Sequence, residues 1–451
     1  MKKRAWYELP AAEDIAPASL AVAAVGMHVD QTPAHALWAA VEAAGGQRIP
    51  LPASAASLAE SQDYAELFRA ATLRGVFRHW SANGKTVEEF VEGYPVPAYY
   101  SIPTILDRRI EAPAMSKKFA ILMRRTLQDG VGMAFHDIDR RSLLLARTTS
   151  DVLWADVFSR FDRAADLPAM LLFAEDGLAT RSNFHGWLPR ADEAPEQAFA
   201  RERRGNADLS EVFAGLMLTR AASMERLREL SEHVIDASQT GSFGDGQRGR
   251  TAHGFARWTS RFAQPYAIHR ARFPFSKTEY VKDPWSAQQC AQFDAMPVLA
   301  WVHRPQVADY RDENRAVLPS AECADKLRAA LQSAVSGPLE GMAPARILFD
   351  VGAGDASGAR RVQLTTAIRS VLPDFDLLDV KKGYDLNRRL GDTGAATALA
   401  GVGLASMAAW ENGSTALVIH ARRDDGATVL AVKPPSDVQR QRYRRRPYDA
   451  A

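Results

Sequence analysis

The stretch from Arg346 to Asp379 constrains the fold more than any other. It opens with Arg346-Ile-Leu-Phe-Asp350, a short apolar run ending in an acid, and continues through Val351-Gly352-Ala-Gly354-Asp355. A helix-prone segment follows, then Phe375-Asp376-Leu-Leu-Asp379. A short apolar run bounded by glycines reads as a buried strand, and the Gly-x-Gly after it as a tight turn into a helix. The expected order is strand, turn, helix and a second strand over 375–379. That alternation points to an α/β fold.

The chain has 451 residues, more than one hydrophobic core serves, so more than one module is expected. Two α/β modules are read, each a mixed or parallel sheet flanked by helices. The boundaries are 1–240 for the first module, 241–294 for a glycine-rich hinge and linker, 295–436 for the second module and 437–451 for a basic tail. The formal charge of +2 argues against a whole-chain nucleic-acid trap. Cys290 and Cys323 alone cannot build a disulfide framework, which fits a reducing, cytoplasmic compartment. The apolar run from Ile15 to Val29 is broken by Pro17 and is too short to span a bilayer, so no stable membrane insertion is expected.

Along the first module, Leu20 to Val29 is a continuous apolar run that suits a strand buried on both faces. Thr32-Pro33 opens a helix to about Ala44, ended by Gly45-Gly46. Helical spacing recurs over 64–80, 86–92 and 115–127. Ser142 to Ala146 and Ala169 to Ala174 read as strands, with a helix from Ser150-Asp151 to Arg163 between them. This strand–helix–strand order predicts a largely parallel sheet. Residues 187–206 are polar and proline-marked. Leu209 to Ile235 has the longest helical spacing, through Val212, Phe213, Leu216, Met217, Leu227, Leu230 and Val234. The glycines of 241–250 mark the hinge.

The second module opens with a strand over Met296 to His303. Ser320 is read as the cap of a helix reaching Val335 and stopped by Gly337-Pro338. After the 346–379 unit, Asn387 to Trp410 is helix-prone but interrupted by Gly391, Gly394, Gly401 and Gly403, which predicts two helices. Thr415 to Ala421 and Thr428 to Val432 form a hairpin over Asp424-Asp425-Gly426. Arg440, Arg442 and Arg444 to Arg446 make the tail basic.

No complete catalytic set emerges. Asp350-Val-Gly352-Ala-Gly354 resembles the first motif of methyltransferases that use S-adenosylmethionine, with Asp379 placed where such folds bind a ribose. Too little chain follows Asp379 for the remaining strand–helix units, and a structural tight turn is the favoured reading. His28 and His303 each end an apolar strand, a place where α/β enzymes put catalytic groups. Neither has a Gly-x-Ser-x-Gly elbow or a metal-spaced partner. His136 and Asp139 precede Arg140 and Arg141, which suits a salt-bridged turn; Glu175-Asp176-Gly177 has turn composition. The basic clusters at 201–204, 248–250 and 440–446 read as solvated loops first, as contacts for an acidic protein next, and as nucleic-acid contacts last. No catalytic, cofactor-binding or metal-ligating residue is assigned, no cofactor is expected, and nucleic acid is not expected as a partner.

Three further segments carry a resemblance: Met296-Pro-Val-Leu-Ala-Trp-Val-His-Arg-Pro305, Tyr384-Asp-Leu-Asn-Arg-Arg-Leu-Gly-Asp-Thr-Gly-Ala396 and Val432-Lys-Pro-Pro435. With the order of the two modules, they resemble the type VI secretion lipase adaptor family. The resemblance implies a non-enzymatic adaptor or chaperone that binds a phospholipase effector in the cytoplasm and delivers it to the spike of the secretion machine. It implies no catalytic residue. The alternative is an S-adenosylmethionine-dependent methyltransferase centred on Asp350 to Asp379.

Overall fold

The computed structural model describes residues 18–30, 32–49, 98–102, 136–137, 150–163, 167, 169–176, 210, 212–220, 234–236, 269–271, 297–352, 354 and 356–441. In chain order the elements are β1 (Ser19–Val29), β2 (Thr32–Pro33), α1 (Ala34–Ala43), β3 (Ala98–Ile102), β4 (His136–Asp137), α2 (Ser150–Arg163), β5 (Ala169–Asp176), β6 (Val212–Thr219), β7 (Val234–Asp236), β8 (His269–Ala271), β9 (Ala300–His303) and β10 (Gln306–Asp309). They continue as α3 (Ser320–Ser336), β11 (Arg346–Asp350), α4 (Ala356–Val371), β12 (Gly383–Asp385), α5 (Leu386–Leu390), a 3-10 turn (Gly394–Ala396), α6 (Thr397–Asn412), β13 (Ala416–His420), β14 (Gly426–Lys433) and α7 (Asp437–Gln441).

The fold is α/β around a mixed sheet. Twelve strands join in one sheet, in the order β12-β11-β13-β14-β9-β1-β6-β5-β3-β4, with β10 on β14 and β2 on β1. Strands from both halves of the sequence meet in it because β9 pairs antiparallel with β1 on one side and with β14 on the other. The N-terminal strands are not largely parallel, as the strand–helix order predicts. β1–β6 and β5–β6 are antiparallel, while β3 runs parallel to both β5 and β4.

The C-terminal strands show the period of two that a sheet covered on both faces requires. Leu348, Val418 and Leu430 turn to one face and join a core with α6, α1 and α2. Ile347, Phe349, Leu417 and Ile419 turn to the other and pack beneath α3 and α4. Helix α6 is apolar on all sides, and its residues from Thr397 to Trp410 are buried. A helix of that composition belongs inside a protein. Its two glycines allow the close approach: a Cβ on Gly403 would lie 2.5 Å from Met27 Sδ, and one on Gly401 2.7 Å from Val418 Cγ1.

Four local expectations are corrected. The helix expected over Leu209 to Ile235 is replaced, where the chain is described, by strands β6 and β7. Val212 to Thr219 is apolar at nearly every position, which fills helical positions without a helix, and the run is buried between β1 and β5. The strand expected over 375–379 is a series of turns. Asp376 and Asp379 each accept a hydrogen bond from the backbone two residues on, at Leu378 N and Lys381 N (both 2.9 Å), a turn-forming habit of aspartate. The strand follows later, as β12. Thr32 and Pro33 pair with Val29 and His28 as a short strand, and the helix begins at Ala34. Ser320 is the first residue of α3, not its cap; Pro319 occupies that place, and the Ser320 hydroxyl accepts from Gln363 Nε2 at 2.9 Å.

The strand over 169–174, the helix from Ser150 to Arg163, the division of 387–410 into two helices and the 415–432 hairpin match the described elements. The helices expected over 64–80, 86–92 and 115–127, the strand over 142–146 and the loops at 187–206 and 241–250 lie outside the described residues. The start of the tail, 437–441, is helical. Its box is reciprocal: Ser436 Oγ accepts from Gln439 N, and Gln439 Oε1 accepts from Ser436 N, as in a capping box.

Candidate functional site

The glycine turn after β11 is the place where an enzyme reading and a structural reading make different demands. Asp350 closes β11 with no exposed surface. Its Oδ1 accepts from Gly352 N at 2.7 Å, and its Oδ2 from Thr397 Oγ1 at 2.5 Å and Arg422 Nη1 at 3.1 Å. Arg422 also donates to Asp392 Oδ1 at 2.5 Å. Burial pushes the Asp350 carboxyl up, but the Arg422 charge, the Thr397 hydroxyl and the Gly352 N–H together hold it below the usual carboxylate range. The flanking carboxylates raise the Arg422 guanidinium against its own desolvation. Asp350 and Arg422 thus form a buried ion pair, and Asp392 is the second carboxylate bound to the arginine.

Gly352 adopts φ 73°, a left-handed conformation that an L side chain rarely takes. The room beside it is occupied by the protein itself. A Cβ there would meet Arg360 Nη1 at 3.3 Å and the Arg422 side chain at 3.7 Å. Arg360 is fixed by Val351 O (3.1 Å) and Asp424 Oδ1 (2.6 Å). A nucleotide-like ligand approaching this turn meets two guanidinium groups already paired to the chain's own acids. Asp379 lies not at a strand end but in the turn before β12, where it accepts from Lys381 N. The two features of the methyltransferase motif are therefore not brought together as that chemistry needs.

The histidines are separated as well. His303 pairs opposite Ser19 at one end of β1, and His28 sits at its other end. Nine strand residues at about 3.3 Å each put them roughly 30 Å apart. Burial and the nearby Lys433 charge hold His303 below its ordinary value, against Glu340. His136 and Asp137 form β4, and Glu175 and Asp176 end β5 opposite Phe213 and Val212. Cys323 is buried in α3, with its thiol on Leu318 O at 3.3 Å. Cys290, Asp139 and the arginines at 201–204, 248–250 and 442–446 lie outside the described residues.

Sequence reasoning missed Asp392, Thr397, Arg422 and His420 around Asp350. They come from two short stretches, 392–397 and 420–422, far from Asp350 in sequence, and no local spacing marks them. It also missed what the Tyr384–Ala396 segment does. Arg389, 2% exposed, donates to Gly383 O (3.2 Å) and Val380 O of its own half and to Val41 O (3.2 Å) of α1. Its guanidinium lies 3.9 Å from the centre of the Tyr384 ring, which stacks on Trp38 at 5.6 Å. The Tyr384 hydroxyl donates to Glu42. Ile49 N donates to Arg389 O (2.9 Å), Ser210 N to Asp392 O (2.8 Å), Ser210 Oγ to Leu390 O (2.5 Å) and Trp154 Nε1 to Ala398 O (3.1 Å). The segment from Tyr384 to Ala398 is thus a joint that ties N-terminal and C-terminal elements together. Among the described residues, no helix is long and apolar enough to cross a membrane.

Comparison with solved structures gives remote likenesses. A ketosynthase from module 6 of the bacillaene synthase of Bacillus subtilis 168 is 10% identical, with 93% of this chain and 72% of that one covered, at a TM-score of 0.45. The peroxisomal 3-ketoacyl-CoA thiolase of Saccharomyces cerevisiae is 11% identical, with 93% and 98% covered, at 0.40. At such scores nothing of those enzymes' reactions transfers to this chain. Two family models match far more specifically: type VI lipase adapter protein Tla3, N-terminal, over residues 18–191, and type VI lipase adapter protein Tla3, C-terminal, over residues 299–434. Across those two spans, which together cover more than half of its length, the chain belongs to the type VI lipase adapter protein Tla3 family.

Proposed function

We propose that this protein is a non-enzymatic adapter, acting as a chaperone in the bacterial cytoplasm, that holds a phospholipase effector and delivers it to the spike of a type VI secretion system. The match of both halves to the lipase adapter family carries this reading. The filling of the Gly352 turn by Arg360 and Arg422 supports it over a methyltransferase.

The two modules, 1–240 and 295–436, are proposed as the two holding surfaces, with the region 187–250, from the polar approach 187–206 to the glycine-rich hinge 241–250, as the part that meets the lipase. Outside β6 and β7 the stretch is poor in large apolar residues, so ordering those parts calls for a partner's surface. Hydrogen exchange with and without the cognate lipase tests this. The expected result is new protection in the complex within 187–250 outside β6 and β7. Amides there that are equally exposed in both states, or equally protected in both, overturn the assignment.

A further inference from the structure

We infer that this chain is a tandem duplication, in which β1 to β6 and β9 to β14 are two copies of one strand–helix unit, related by an approximate two-fold axis between β1 and β9. From that seam outward the first copy runs β1-β6-β5-β3-β4, and the second runs β9 and β10 in one lane, then β14-β13-β11-β12. The directions agree at every step. β6 and β14 are each antiparallel to both neighbouring lanes. The outer three strands of each copy are parallel, β5 with β3 and β4 in one and β13 with β11 and β12 in the other. The central helix comes at the same point of both copies, α2 between β4 and β5 and α6 between β12 and β13.

The residue spacing repeats with the topology. Tyr100, Leu172 and Leu216 lie in one row across β3, β5 and β6, and Leu348, Val418 and Leu430 in the matching row across β11, β13 and β14. Tyr100 to Leu172 is 72 positions, and Leu348 to Val418 is 70. Asp137, paired with Tyr99, lies 35 positions before Leu172; Gly383, paired with Ile347, lies 35 before Val418. Each inner lane also carries one extra residue at the same place. Four steps of β1, Val22 to Gly26, oppose three of β6, Leu218 to Gly215. Four steps from Val302 to Gln306 oppose three of β14, Val432 to Val429. Both are bulges. The seam is self-complementary, as a two-fold axis demands. Ala21 lies opposite Trp301, its own equivalent, with Thr219 and Lys433 on their outer sides.

The side chains follow the same symmetry, because each central helix meets the bulge of the other copy. A Cβ on Gly403 of α6 would lie 3.2 Å from Val25 Cγ1. The Arg304 guanidinium lies 5.0 Å from the centre of the Phe158 ring of α2 and donates to Asp162 at 3.0 Å. The copies differ in two respects. Asp350, His420 and Thr428 form a row whose equivalents in the first copy are Ile102, Ala174 and Ala214, so the polar strand end belongs to one copy and not to the unit. Leu172 to Leu216 is 44 positions, against 12 from Val418 to Leu430. The additional length between β5 and β6 is therefore an insertion that the unit does not need in order to fold.

Two deletions in the full chain test the assignment. Removing residues 178–208 leaves Gly177-Leu209-Ser210-Glu211 to join β5 to β6, within the roughly two to five residues usual for a hairpin. One cooperative thermal transition is expected, with a midpoint within about 5 °C of wild type, since loop length changes closure entropy little. Removing the equally long segment 103–133, where the two copies keep nearly the same spacing, is expected to abolish that transition. A version with a short Gly/Ser linker in place of 178–208 separates strain in the shortened turn from a need for the segment. Loss of the transition in both 178–208 variants, or an unaltered midpoint without 103–133, overturns the duplication. A crystal structure is expected to superpose the equivalent strands after a rotation close to a half turn; β3 or β4 running antiparallel to β5 overturns it as well.

Discussion

Replacing Arg389 with Met removes a side chain whose donors reach both halves of the joint while keeping its length and apolar stem. Three carbonyls lose a charged donor: Val41 O, Val380 O and Gly383 O. The cation also leaves the face of Tyr384, 3.9 Å away. Leaving a buried acceptor without its donor costs about 1–3 kcal/mol, and part of the loss over the three carbonyls is recovered because Met needs no desolvation. A net destabilisation of about 3 kcal/mol follows, and at ~3 kcal/mol per M urea for a large chain the midpoint falls by about 1 M. Urea unfolding followed by tryptophan fluorescence reads this directly, since Trp38 stacks on Tyr384 within the joint. Arg389→Lys keeps the charge but cannot span three acceptors with a planar fork, so it falls between wild type and Met. A midpoint within ~0.2 M of wild type for Arg389→Met refutes the reasoning that this arginine clamps the two halves.

Asp350→Asn is expected to destabilise at neutral pH by about 3 kcal/mol, since Arg422 loses a buried carboxylate. Because the folded carboxyl lies below its ordinary value of 3.8, its stabilisation is complete above that value and is lost as pH falls through the folded one. The gap between wild type and variant in urea unfolding therefore narrows below about pH 4, and a gap that stays constant contradicts the ionised Asp350 carboxylate. Gly403→Val places a branched side chain against Met27 and Val25 and is expected to cost about 2 kcal/mol by overpacking, measured as the loss of thermal midpoint; an unchanged midpoint means that α6 is not pinned there. Titration with S-adenosylmethionine is expected to give no heat, whereas micromolar binding that vanishes in Gly352→Val reinstates the methyltransferase. Replacing Arg201, Arg203 and Arg204 with Glu is expected to slow association with the lipase more than it speeds dissociation, because exposed charges mainly steer encounter; association unchanged at low salt removes that role.

Elements whose pattern is local were legible in the sequence. β1, β5, β11, β13 and β14 are short apolar runs bounded by turn residues, and α6 announces itself by length. β6 was not legible, because a run that is apolar at nearly every position satisfies helical and extended spacing alike; only its burial between β1 and β5 decides. Leu377 and Leu378 suggested a strand, but the carboxylates of Asp376 and Asp379 bond their own backbone and turn the chain. The site was less legible than the fold. Asp350 and Gly352 stand out in sequence, while the groups that decide their use, Arg360, Thr397 and Arg422, reach them only through the folding of α4, α6 and the hairpin end. The Tyr384–Ala396 segment was one of the three that carried the family resemblance, and its place at the joint gives it a physical reason: Tyr384, Arg389, Leu390 and Asp392 bond across the two halves.

The most direct measurement is assembly from purified components: this protein, its cognate phospholipase and the spike protein of the same secretion system, followed by size-exclusion chromatography with light scattering. An adapter predicts one complex containing all three, with the lipase failing to join the spike when this protein is left out. Lipase that reaches the spike equally well alone, or a chain that binds neither component, contradicts the account.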